Sequence, residues 1–139
     1  MSTILLVEDN ADDAELALIG LKHVSDRYHI ELATDGKQAL EFLYAEGRYS
    51  HRSGEDAPVL VLLDINLPNG NGLSILQRMR ASKEYHNTPV LILTSSDDLI
   101  DIAQTRQFGA NSYLQKSVDF GHFTSRLHQE LDHWLTRAH

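Results

Sequence analysis

The stretch VLVLLDINLPNGNG, Val59–Gly72, runs five apolar residues straight into Asp64 and then breaks at Pro68 and a cluster of Asn and Gly. An unbroken apolar run of this length, closed by turn residues, reads as a strand covered on both faces, as in the middle of a parallel sheet. Asp64 is then either a residue that merely ends the strand or a carboxylate held at the mouth of a sheet for chemistry. The segments on either side decide which.

Upstream, Thr3–Val7 is a second apolar run, and His29–Ala33 is a weaker strand. Between them Ala14, Ala17, Leu18 and Leu21 recur at the spacing of one helix face, with Asp12 as a candidate N-cap. Asp35-Gly36 opens a helix carrying Ala39, Leu40 and Leu43. Downstream of the quoted stretch, Leu73, Leu76 and Met79 mark a helix. PVLILT from Pro89 reads as a fourth strand. A helix from about Asp98 carries Leu99, Ile102 and Ala103 and stops near Gly109. Asn111–Leu114 reads as a fifth strand, and Phe120, Phe123, Leu127, Leu131 and Trp134 form the stripe of a last helix. Five strands in strict alternation with five helices need crossover connections, and a parallel sheet with helices on both faces is the compact solution. The expected class is therefore a doubly wound α/β fold. The polar stretch Gly47–Ala57, GRYSHRSGEDA, is long for such a connection and reads as a functional loop or a mobile insertion.

Size and composition narrow the function. A chain of 139 residues fits one domain spanning 1–139, with no separate output domain expected. The MSTILLVED start lacks the pattern of a secretory signal, and no apolar run reaches membrane-spanning length, so the chain reads as cytoplasmic. With no cysteine, disulfides and thiolate metal sites are excluded. Twelve basic against 20 acidic residues, a net charge of −8, argue against nucleic-acid binding and favour a protein partner or a cation. The eight histidines are scattered without metal-binding spacing, and His122, His128 and His133 are expected on the solvent side of the last helix.

In an open parallel sheet, ligands bind beyond the carboxyl ends of the strands. The first strand ends in Glu8-Asp9, the third in Asp64 and the fourth in Thr94, while Lys116 follows the fifth. If the central strands are neighbours, three carboxylates, a hydroxyl and an ammonium meet in one crevice. Such an acidic cluster recruits a hard cation, and Mg²⁺, which keeps open positions beside one or two carboxylates, suits it best. Asp64 could then act as a nucleophile toward phosphorus, with Thr94 and Lys116 answering the charge of the transferred group.

These residues, in this order, resemble the receiver domain of two-component response regulators along essentially the whole chain: Glu8 and Asp9, Asp64 in LLDINLP, Thr94 in LILT, and Tyr113 and Lys116 in NSYLQK. The resemblance implies a flavodoxin-like, five-stranded sheet of order 2-1-3-4-5. It implies phosphorylation of Asp64 by a sensor histidine kinase, or exchange with a phosphotransfer protein. It further implies Mg²⁺ held by Asp9, Asp64 and the backbone carbonyl of Asn66, with Glu8 helping through water, and a switch in which Thr94 and Tyr113 move on phosphorylation. Such a domain is a phosphoacceptor and not an enzyme with an external substrate. The polar insertion, the LDINLP spelling and the HWL ending resemble stand-alone regulators that pair with bacterial phytochromes and commonly form homodimers. Trp134 is the candidate interface residue.

Two departures and two rivals belong beside this reading. The family usually carries Pro after its lysine, often with a cis bond, where this chain has Ser117. Glu8 stands where many members have Asp. A phosphatase of the haloacid-dehalogenase type would need an acid at Asn66 to protonate the leaving group, and Asn cannot supply one. The alternative that survives is a receiver-like binding module that works without phosphorylation.

Overall fold

The computed structural model of the chain describes residues 2–67, 72–95, 99–116 and 119–137. Its elements alternate as β1 (Ser2–Val7), α1 (Ala11–Leu21), β2 (Tyr28–Ala33), α2 (Gly36–Leu43), β3 (Pro58–Asp64), α3 (Gly72–Ala81), β4 (Val90–Thr94), α4 (Leu99–Gln107), β5 (Ser112–Gln115) and α5 (Phe120–Arg137). The five strands are all parallel and lie in the order β2-β1-β3-β4-β5. The expected doubly wound sheet is therefore found, with β1, β3 and β4 side by side at its centre.

Successive side chains on a strand point to opposite faces, and the apolar runs split accordingly. Ile4, Leu6, Leu60, Leu62, Leu91 and Leu93 pack under Ala17 and Leu21 of α1 and Phe123, Leu127, Leu131 and Leu135 of α5. Leu5, Val7, Val61, Leu63, Val90 and Ile92 pack under Ala39 and Leu43 of α2 and Ile75, Leu76 and Met79 of α3. Two buried faces explain why these strands read as continuous apolar runs. The edge strand β2 needs less cover, and only its first and last residues are fully buried. Among the described residues no helix is long and apolar enough to cross a membrane.

The structure corrects three local expectations. Helix α1 is capped by Asn10, not Asp12: the Asn10 side chain accepts the Asp13 N–H at 2.9 Å from an extended backbone. Asp12 and Asp13 consequently fall in the first turn, where carboxylates meet the positive end of the helix dipole. The buried ridge of α5 follows a spacing of four through Phe123, Leu127, Leu131 and Leu135, leaving Phe120 46% exposed and Trp134 half-buried on the flank. His122 and His133 face solvent, but His128 is half-buried and stacks on His23 with ring centroids 4.1 Å apart.

The polar insertion has local structure of its own. Residues 47–57 form two short 3₁₀ turns, Gly47–Tyr49 and Gly54–Asp56. Arg52 anchors them by donating to the carbonyls of Phe42 and Leu43 at the end of α2, to Ser53 O at 2.8 Å and to the Tyr85 hydroxyl at 3.3 Å. A guanidinium with several fixed donors thus satisfies the carbonyls that a helix C-terminus leaves open. Through Arg52 the long connection caps the end of α2. The expected helix start at Asp98 and the Lys116-Ser117 bond both involve positions outside the described residues.

Candidate phosphoacceptor site

Because β1 and β3 pair in register from Ile4↔Leu60 to Val7↔Leu63, the residues after them, Glu8 and Asp64, arrive side by side. Pairing of Asp64 with Leu93 brings Thr94 to the same rim. Glu8 is 1% exposed, Asp64 3% and Thr94 4%, whereas Asp9 faces solvent. Oxygens of Glu8, Asp9 and Asp64 all lie within 4.8 Å of one another. Lys116 returns to the rim because its N–H donates to Thr94 O at 2.6 Å. Its ammonium donates to Glu8 Oε1 at 2.8 Å, Asp13 Oδ2 at 3.0 Å and Asp64 Oδ2 at 3.2 Å.

The two buried carboxyls are driven apart electrostatically. Burial, reinforced by contact with Asp64, pushes Glu8 up to about 8 against the pull of Lys116. Burial also opposes the charge on Asp64, but the Glu8 carboxyl, the Asn66 N–H at 2.9 Å and Lys116 outweigh it and hold Asp64 below its ordinary value. Burial likewise works against the Lys116 charge, yet the carboxylates around it raise the amine above its usual range. Burial therefore disfavours the charge on Glu8, while the Asn66 N–H and Lys116 favour it on Asp64. An ionised carboxylate with one oxygen on a backbone N–H and the other on an ammonium is a positioned nucleophile.

The donor set fits a divalent cation. Every candidate ligand atom is oxygen, which hard cations prefer, and Glu8 Oε2 is shut from solvent without accepting a hydrogen bond. Asn66 lies beside the cluster, its N–H bound to Asp64. Tyr113 sits on β5 opposite Ile92, half-buried and packed against the α2–α3 side of the core with Phe108 and Ala110, and it contributes no atom to the carboxylate cluster.

Two residues of the site escaped the sequence reading. Asp13 is one, and its signal was the Asn10-x-x-Asp13 spacing that fixes it in the first turn of α1. The other is Gly72, the first residue of α3. A Cβ there would clash with the Asp64 carbonyl oxygen and lie 2.9 Å from Ile65 Cα. Only glycine lets α3 start directly beneath the acceptor, where its N–H also bonds Ile65 O at 2.9 Å.

A parallel sheet of this order, with an acidic cluster and a lysine at the carboxyl ends of its central strands, is the receiver architecture that the sequence resemblance implied. Residues 4–128 match the response regulator receiver domain, and the chain belongs to that family. It is 33% identical over 132 residues to the probable methanogenesis regulatory protein FilR2 of Methanothrix harundinacea, covering 95% of this chain and 83% of that one. It is also 33% identical over 114 residues to response regulator Rcp1 of Synechocystis, covering 82% and 76% of the two chains. The Mn²⁺-bound crystal structure of Rcp1 superposes with a TM-score of 0.84 at 30% identity over 96% and 94% of the chains. The phosphorylated cyanobacterial phytochrome response regulator RcpA superposes with a TM-score of 0.87 at 29% identity, covering 99% and 96%.

Proposed function

We propose that this receiver accepts a phosphoryl group on Asp64 from the phosphohistidine of a sensor kinase or phosphotransfer protein. The observation that carries the reading is the buried Asp64 carboxylate held between the Asn66 N–H at 2.9 Å and the Lys116 ammonium at 3.2 Å. In the transfer an Asp64 oxygen bonds to phosphorus as the P–N bond to histidine breaks, and the imidazole leaves with the electron pair. Lys116 is placed to donate to the phosphoryl oxygens and Thr94 to offer its hydroxyl from the neighbouring strand end. Glu8, Asp9, Asp64 and the Asn66 carbonyl are the proposed holders of Mg²⁺, which when bound offsets charge on the phosphoryl oxygens. Tyr113 is the proposed reporter: its half-buried ring can move as Thr94 turns toward the phosphoryl group, altering the face made by α4, β5 and α5.

Similarity to RcpA supports a phytochrome as the kinase partner, and kinship with that branch supports a homodimer in which α5, with Trp134 on its flank, contributes to the interface. The intact mass after incubation with acetyl phosphate, with and without Mg²⁺, tests the central reading. The expected result is a metal-dependent gain of one phosphoryl group, absent in Asp64→Asn. An equal gain in that variant would overturn the choice of acceptor. No gain with either acetyl phosphate or a phosphorylated kinase would leave the domain as a binding module.

A further inference from the structure

Asp13 has no part in the transfer just described, yet it takes one of the three N–H donors of the Lys116 ammonium. Asn10 fixes Asp13 in the first turn of α1 by accepting its N–H, and from there Oδ2 lies 3.0 Å from Nζ. The other two donors go to Glu8 and Asp64, which belong to the cluster suited to a cation. The ammonium and a divalent cation therefore seek the same two carboxylates and repel each other. Asp13 lies outside that cluster, and its side chain is 36% exposed against 0% and 4% for Glu8 and Asp64. Solvent can thus support its charge whichever cation the others hold. Apart from the backbone bond to Thr94, Asp13 is the link that ties Lys116 to α1.

We propose that Asp13 is a positioning residue that keeps hold of Lys116 when a divalent cation occupies Glu8, Asp9 and Asp64, so that lysine and metal share the site instead of excluding one another. The inference rests on the reading of these carboxylates as a metal-dependent acceptor site. Without Asp13 the third donor is released, and Lys116 is drawn wholly onto Glu8 and Asp64, where it competes with the metal.

Mn²⁺ binding by calorimetry, on the wild type, Asp13→Asn, Asp13→Glu, Lys116→Ala and the Asp13→Asn/Lys116→Ala double variant, tests this directly. Asp13→Asn is expected to weaken Mn²⁺ roughly two- to fivefold, the effect of one partly exposed ion pair. It should raise the Mg²⁺ concentration for half-maximal phosphorylation by acetyl phosphate by the same factor. Asp13→Glu should restore both, and Asp13→Asn should lose most of its effect once Lys116 is gone. Unchanged Mn²⁺ affinity would overturn the proposal, as would an equal loss in the Lys116→Ala background, which marks a field effect of the charge alone. A purely structural role would lower the urea midpoint of both backgrounds alike and leave Mn²⁺ binding untouched, also against it. Failure of the wild type to gain phosphate would sink the acceptor reading, while the Mn²⁺ cycle would still decide the role of Asp13.

Discussion

Lys116→Ala should destabilise the metal-free domain by an amount that grows with pH. The lysine is the sole cation among four carboxylates at this rim in the described residues, and its contacts with Glu8 and Asp64 are almost fully buried. Hydrogen bonds to charged groups contribute about 1.5–3 kcal/mol when buried, and partly exposed pairs such as that with Asp13 less than about 1 kcal/mol. At pH 6, Glu8 holds its proton in the wild type, since burial pushes it up to about 8. The loss there is mainly the pairing to Asp64 and Asp13, about 2–3 kcal/mol.

The sign above neutral pH follows from proton linkage. A carboxyl raised in the folded state contributes stability that is complete below its unfolded value, about 4.5, and is lost as pH rises through its folded value. In the wild type that loss ends near pH 8. Without Lys116, Glu8 is raised further, so the variant continues to lose about 1.4 kcal/mol per pH unit where the wild type has levelled. Urea unfolding of both proteins in EDTA at pH 6, 7, 8 and 9 reads the gap directly. It should be flat to about pH 7.5 and widen by about 1 kcal/mol at pH 9. Added Mn²⁺ should stabilise the variant more than the wild type, because it meets no competing ammonium. A gap constant with pH, or a variant as stable as the wild type in EDTA, would refute the picture of Lys116 as resident counter-ion.

Three further outcomes follow from named contacts. Gly72→Ala drives a Cβ against the Asp64 carbonyl and should cost about 1–3 kcal/mol by overpacking and slow phosphorylation, as urea unfolding and intact mass would read. Arg52→Ala removes the guanidinium bonds to the α2 carbonyls of Phe42 and Leu43, the second of which the Tyr85 hydroxyl still holds, and should lower stability by about 1–2 kcal/mol, with phosphorylation by acetyl phosphate unchanged. Asn10→Ala removes the α1 cap and should cost about 1 kcal/mol, whereas Asp12→Ala should cost less than half of that; equal losses would return the cap to Asp12.

The doubly wound fold was legible in the chain because alternation of buried strands and amphipathic helices has few compact solutions, and strands as apolar as Pro58–Asp64 and Val90–Thr94 fit only its centre. The acidic and hydroxyl residues at the strand ends were equally visible, since a parallel sheet collects its strand ends along one rim. What sequence spacing could not resolve was choice among near-equivalent local partners. Asn10 and Asp12 are both good caps, and backbone geometry selected the first. Phe120 and Leu135 both suit an α5 stripe, and packing against the sheet buries Leu135 and leaves Phe120 exposed. Arg52 looked like part of a loose polar insertion because its acceptors, the ends of α2, become available only when the loop folds back.

Apolar periodicity and residue order suffice for the class of fold, the rim where chemistry belongs and the residue types that stand there. Only the folded chain sets how those residues share charge: Lys116 divides its three donors among Glu8, Asp13 and Asp64, burial raises Glu8 while its neighbours lower Asp64, and Gly72 clears space beneath Asp64. The reason is physical. Periodicity encodes which side of an element faces the core. Ionisation depends on burial and on distances of about 3 Å between groups as much as 108 residues apart in the chain, which exist only once the sheet has closed its register.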